Sequence, residues 1–223
     1  MSSIGLLVAC KTSRSRSLYP AFLVSLRTGL RSAELRHLHW RNVDLVDGGW
    51  ITVGRSKTDK GRGRRVPLSD DALACLKNWR KLFPKAEPAH YVFCSEQYGL
   101  DGENGRRGGK AVPYNVDPIK PIGPFKDSWD TAREAAGVDC TWHDLRHTFI
   151  STLAETGSTD TEIMAMAGHV SKRMLERYSH ARNSRKRDAI DRAFNRKRSK
   201  NTIPTDSPQF HPQSGEFENG QIM

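Results

Sequence analysis

Leu18, Phe22, Leu23, Leu26 and Leu30 recur at the spacing that puts side chains on one face of an α-helix, so the first long apolar stretch is predicted helical. Ser32, with Glu34 two residues later, marks the start of a second helix carrying Leu35 and Leu38, which leaves Arg31 at the junction of the two. The pattern then changes. WITVGR and RRVPLS, residues 50 to 55 and 64 to 69, have strand character and flank the Gly-containing loop SKTDKGRG, which predicts a hairpin with a basic tip. Ser69 followed by two aspartates opens another helix, whose apolar stripe is Leu73, Leu76, Trp79 and Phe83. YVFCS, residues 91 to 95, reads as a short strand. Residues 96 to 123 are rich in Gly, Pro and charge without an apolar period, which predicts a long surface loop.

Helices resume after Pro124. Phe125, Trp129, Ala132 and Ala136 mark one that closes at Gly137, and Leu145, Phe149 and Leu153 mark the next, closing at Gly157. A short helix at about 160 to 167 ends at Gly168. Ala189, Ile190, Ala193 and Phe194 outline a last amphipathic helix, followed by a polar, Pro-containing tail. No internal repeat is present. The predicted class is mainly α with a small antiparallel β-sheet, an α+β fold.

Charge narrows the function. Lys plus Arg number 36 against 25 Asp plus Glu, a formal net charge of +11 that draws in polyanions, with nucleic acid foremost. The charge is clustered. Residues 54 to 65 carry six basic residues against one acid, and residues 172 to 200 carry twelve against three. Arg55, Lys60, Arg62 and Arg64 on the hairpin and Lys172 and Arg173 downstream are therefore expected to face DNA. Cys10, Cys75, Cys94 and Cys140 contain no CxxC pair, which indicates neither a zinc site nor a disulfide framework and fits a reducing cytoplasm. MSSIGLLVAC ends like a lipoprotein cleavage site but lacks a basic leader, and no stretch approaches the ~18 apolar residues of a membrane span.

Within this basic chain, HDLRHT, residues 143 to 148, sets His143 and Arg146 three apart on one helical face, where both can aim at one point. A guanidinium there can grip two phosphate oxygens at once. Arg31, far upstream, is followed at the right spacing by Glu34, a support for its guanidinium, and two such arginines can clamp one phosphodiester. Lys57 on the hairpin tip is a mobile ammonium able to protonate a leaving oxygen, with Lys60 on the same loop as its alternative. His169 precedes Tyr178 by nine residues. Alone, Tyr178 reads as an aromatic packed beside Met174. In HDLRH, His143 and His147 also have the i, i+4 spacing of a zinc-protease helix, but Asp144 stands where a Glu is needed and Arg146 would put a cation on the metal's face, so no metal site is assigned. His37 and His39 receive no chemistry.

Taken together, TGLRSAEL, the KT-containing hairpin leading into RRVPL, HDLRHT, and GH followed by YSH resemble the tyrosine recombinase, or phage integrase, family over roughly residues 18 to 182. Any one of these boxes is weak evidence; all of them in order are strong. The resemblance implies a catalytic domain over 18 to 195, preceded by a short segment, 1 to 17, in place of a core-binding domain, and followed by a polar tail, 196 to 223. It implies that Tyr178 attacks a phosphodiester of double-stranded DNA to leave a 3′-phosphotyrosyl link, with no ATP, metal or other cofactor. Arg31 and Arg146 would steady the phosphoryl oxygens, Lys57 would protonate the departing oxygen, His143 would move the tyrosine's proton, and His169 would bond a phosphoryl oxygen. Leu175 stands where the family often has threonine. The family's C-terminal helix packs on a neighbouring protomer in a tetramer on DNA, which residues 185 to 195 would do here. The alternatives are a DNA-binding remnant with little activity and a type IB topoisomerase-like relaxation.

Overall fold

In the computed structural model the described residues are 3–54, 63–100 and 111–170, together with 190, 193 and 194. The chain divides into two compact units, residues 1–185 and 186–223. The first begins with α1 (Ser3–Lys11), α2 (Leu18–Thr28) and α3 (Ser32–Arg36). A three-stranded antiparallel sheet follows, in the order β1 (Val43–Asp44), β2 (Trp50–Thr52) and β3 (Arg65–Pro67), with Ile51 opposite both Val43 and Val66. Next come α4 (Asp70–Lys81) and a two-stranded antiparallel hairpin, β4 (Cys94–Leu100) and β5 (Ala111–Pro121). Three helices, α5 (Lys126–Ala135), α6 (Trp142–Thr156) and α7 (Asp160–Ala167), close the unit. The class is mostly helical with small antiparallel sheets, as the residue pattern predicts.

α2 is the core element. Leu18, Ala21, Phe22 and Val24 are buried against α1, α4 and α6, where an apolar stripe of this width is most stable out of water. Gly29 ends it in the left-handed region, at φ 62°. An added Cβ there would lie 2.4 Å from Cδ1 of Phe149, so only glycine lets the end of α2 turn while packing against α6. A smaller apolar cluster of Phe149, Ile150, Ala154, Ile163, Ala167 and Val170 joins α6 to α7. At the start of α7, the Thr159 hydroxyl accepts from the Glu162 N–H while the Glu162 carboxylate accepts from the Thr159 N–H, a reciprocal cap.

Two expectations are corrected. The region from 96 to 123 is not one loop: its flanks pair as β4 and β5. Its prolines Pro113, Pro118 and Pro121 hid the second strand, yet in a two-stranded ribbon both strands are edges and tolerate residues without an N–H. The strand expected at 91 to 95 begins later, at Cys94, although Tyr91 bridges to His39. The stretch before residue 18 holds α1, which packs on α2 and α5 with Leu6 and Cys10 buried. Burial pushes the Cys10 thiol up to about 12, with a smaller contribution from Cys140, so it behaves as an inert core residue. In the second unit Ile190, Ala193 and Phe194 are helical and exposed, and the rest of the expected C-terminal helix and the tail lie outside the described residues.

Candidate active site

Arg31 sits in extended conformation at the head of α3, and its backbone N–H donates to a Glu34 oxygen at 2.9 Å. The same carboxylate takes the Arg31 Nη1 donor at 3.0 Å, so one acid both caps the helix and fixes the guanidinium. Arg146 projects from the second turn of α6 and is only 3% exposed. Its Nη1 donates to the carbonyl of Gly29 at 2.7 Å and of Ala167 at 2.6 Å, and its Nη2 to the carbonyl of His169 at 3.3 Å. Arg31 Nη2 donates to that same His169 carbonyl at 3.2 Å. Two arginines separated by more than a hundred residues thus meet on one oxygen. Arg146 lies deep, and the Arg31 side chain keeps 25% of its surface open to solvent.

His143 stands one turn before Arg146 on α6, with the ring of His147 edge-on at 5.0 Å. Its pKa is lowered, first by burial and then by His147, Arg146 and Arg31, which favours the neutral imidazole, the form able to accept a proton. Burial, and then the neighbouring Arg31, also hold Arg146 down to about 10, which leaves it a cation at neutral pH. Asp144 turns away, accepting from the N–H and hydroxyl of Thr141 at the head of the helix, which lowers its own pKa. Among the described residues no group of three His, Cys, Asp or Glu side chains comes together as a metal site.

Arg64, expected to face DNA, is corrected: it is 9% exposed, and its guanidinium bridges both oxygens of Glu34 at 3.1 and 2.6 Å. The signal was in the sequence. Arg64, Val66 and Leu68 alternate on the buried face of the strand while Arg65 and Pro67 face out, a period of two that outranks the charge count. The carbonyls of Gly29, Ala167 and His169 were missed as well. His169 itself contributes its backbone to the cluster, beside Gly168 at φ 77°. Lys57, Lys60, Arg55, Arg62, Lys172, Arg173 and Tyr178 lie outside the described residues.

With this geometry in view, the comparisons agree on the class of protein. The model of the phage integrase family matches residues 5–185, and the chain belongs to that family. It is 32% identical over 167 residues to a shufflon-specific DNA recombinase of Escherichia coli, covering 74% of this chain and 35% of the relative. It is 30% identical over 158 residues to the integrase of Salmonella phage P22, covering 70% and 37%. Against the tyrosine recombinase XerC of Xanthomonas axonopodis the identity is 27%, covering 75% and 47%, so the chain spans half or less of the length of these relatives. Among solved structures, the catalytic domain of bacteriophage HP1 integrase superposes with a TM-score of 0.53 at 22% identity, covering 87% of this chain and 94% of that one. The XerH site-specific recombinase bound to palindromic difH substrate, in a post-cleavage complex, gives 0.56 at 19%, covering 84% and 50%. At these identities the likeness is one of fold.

Proposed function

We propose that the chain is the strand-cleaving domain of a site-specific DNA recombinase. The observation that carries this reading is the meeting of Arg31 and Arg146 on the His169 carbonyl, with His143 one turn before Arg146 on the same helix. In the proposed reaction the Tyr178 oxygen attacks a phosphorus of duplex DNA. A new bond joins that oxygen to phosphorus, the bond from phosphorus to the 5′-oxygen breaks, and the strand stays attached through a 3′-phosphotyrosyl link. The phenolic proton passes to His143, and the departing oxygen takes a proton from Lys57 or Lys60 to become a 5′-hydroxyl. Rejoining is the same step in reverse with a second 5′-hydroxyl. Because one phosphodiester is exchanged for another, no energy source enters. Arg31 and Arg146 hold the phosphoryl oxygens as charge builds on them, the largest contribution to the rate. A phenol with an ordinary pKa of about 10 is scarcely ionised at neutral pH, which is why it acts beside cations and a base.

The chain would act on double-stranded DNA in the cytoplasm, with residues 185 to 195 docking on a neighbouring copy in a tetramer. Exposed Phe194 suits that role. A duplex nicked beside the cleavage point loses its leaving fragment and traps the covalent protein on a denaturing gel. Wild-type chain is expected to form the adduct and Tyr178→Phe to form none. DNA binding without an adduct would demote the chain to a DNA-binding remnant, and relaxation of supercoils without exchange between duplexes would make it topoisomerase-like.

A further inference from the structure

The carboxylate of Glu34 is shared by two arginines that use it differently. Arg31 contributes one side-chain donor and its backbone N–H. Arg64 takes the fork, one nitrogen on each oxygen, and its Nε donates to the carbonyl of Met166 at 3.0 Å. Both ends of the Arg64–Glu34 pair are buried, at 5% and 2% side-chain exposure. The backbone of Arg64 is tied too, since its carbonyl accepts from the Val53 N–H at 2.9 Å and closes the base of the hairpin. An added Cβ on Gly168 would lie 3.4 Å from the Arg64 Cζ, so the turn that leads from α7 to His169 rests against this guanidinium.

We infer that Arg64 is a positioning residue for the strand-cleaving site: it fixes Glu34, and through it Arg31, and braces the turn at Gly168 and His169 against the base of the hairpin. Two physical effects follow. A carboxylate bonded from two sides has one orientation left, so the Arg31 guanidinium is pre-organised where its other nitrogen meets the His169 carbonyl. The fork also draws the negative charge of Glu34 toward Arg64. Had Glu34 only Arg31 to pair with, the two would form a neutral pair with little attraction for a phosphate; with Arg64 present the triad keeps a net positive charge, carried on its solvent-facing member. Arg64 therefore acts through Arg31 and touches no DNA.

This inference rests on the recombinase reading of the site, and its test separates the two. Arg64→Gln and Arg64→Lys are compared with wild type on the nicked duplex, at saturating DNA, alongside DNA affinity across a salt series. Adduct formation is expected to slow roughly 100-fold in both variants, the scale of a misplaced reacting group, because an ammonium cannot reproduce the fork. In Arg64→Lys, which keeps the net charge of the triad, affinity should stay within about threefold with the salt slope unchanged, whereas loss of an exposed phosphate contact would lower the slope by about 1. Glu34→Gln and the double variant Glu34→Gln/Arg64→Gln should lose no more than the single variants, since the pair acts as a unit. Wild-type adduct rates in both Arg64 variants, or a lowered salt slope with normal cleavage, would overturn the inference. If Arg64→Gln does not fold, Arg64→Lys, which keeps the charge, carries the test. If wild-type chain forms no adduct, the recombinase reading fails, and hydrogen exchange at the Arg31 amide, which is bonded to Glu34, decides the strut alone. Exchange there should rise about tenfold in either Arg64 variant, as for an amide whose acceptor is loosened while the helices stay protected, and unchanged exchange refutes it.

Discussion

Two partly buried arginine clusters in this fold obey the same rules and end in opposite states. At the first, Arg16 sends Nε and Nη2 to a single oxygen of Glu96, at 3.0 and 2.6 Å, and the Tyr98 hydroxyl donates to the other oxygen. The Arg16 guanidinium also lies 5.7 Å from the ring of Trp79 and 5.4 Å from that of Phe83. One cation meets one anion, and the site is balanced. Burial alone would lower the pKa of Arg16, but Glu96 outweighs it and raises it, while burial together with Glu96 pushes Tyr98 up to about 12. At the second cluster Arg31 and Arg64 pair with the carboxylate of Glu34, and Arg146 beside them is held by backbone carbonyls, so that the described residues there carry more positive than negative charge. There the pKa of Arg146 goes down, to about 10. The first arrangement holds a structure closed. The second keeps cations together at a cost in stability, which the proposed phosphate site would require.

The comparison predicts that activity and stability separate between the clusters. The largest effect is expected at Arg146→Lys. One ammonium cannot hold three carbonyls and still present a second nitrogen to a phosphate, so adduct formation should fall by about 10² to 10³, as for loss of an oxyanion donor. Its unfolding free energy in urea should fall by no more than about 1 to 2 kcal/mol, because the charge and some of the bonds persist. Retained cleavage would remove Arg146 from the clamp. Next comes Arg16→Ala, which leaves the Glu96 carboxylate, 1% exposed, without its cation. Because the Arg16 side chain is 32% exposed, solvent screens part of the loss and the cost is about 1 to 3 kcal/mol, which urea unfolding should register while the adduct rate of the folded fraction stays near wild type. If Arg16→Ala abolished cleavage in the folded protein, the division between a closing cluster and a reacting cluster would be wrong.

The two clusters were not equally legible in the chain. Arg31, Glu34, His143 and Arg146 were visible because helical spacing and box order single them out, and α7 because Gly168 marks its end. Arg16 and Glu96 were not visible: they are eighty residues apart, and Glu96 lay in a stretch whose glycines and prolines concealed a strand. The run of apolar residues from 5 to 10 has no period to read, which left α1 unassigned. Arg64 was read by its charge when its alternation with Val66 and Leu68 carried the better information. The carbonyls of Gly29, Ala167 and His169 have no letter in the sequence, and only the folded chain shows that they hold Arg146.

The smallest expected effect sharpens the contrast by reading the surplus charge directly. His143 is the neighbour on which the second cluster acts, as Tyr98 is for the first. Its folded-state pKa lies below the ordinary histidine value of about 6.5, so above that pH folded and unfolded chains are both neutral there and the group contributes nothing. As pH falls through 6.5 the unfolded chain takes up a proton that the folded site resists, and stability declines until pH passes below the folded pKa. A titration of the imidazole followed by nuclear magnetic resonance should give a midpoint below 6.5. Burial is the leading cause and remains in any variant, whereas Arg31→Ala removes one cation and should bring the midpoint part of the way back up. The matching change at the balanced cluster, Arg16→Ala, should leave the His143 midpoint where it was. An Arg31→Ala titration identical to wild type would mean that burial and the remaining neighbours set the midpoint without Arg31, and that the charge surplus does not extend from Arg31 to His143.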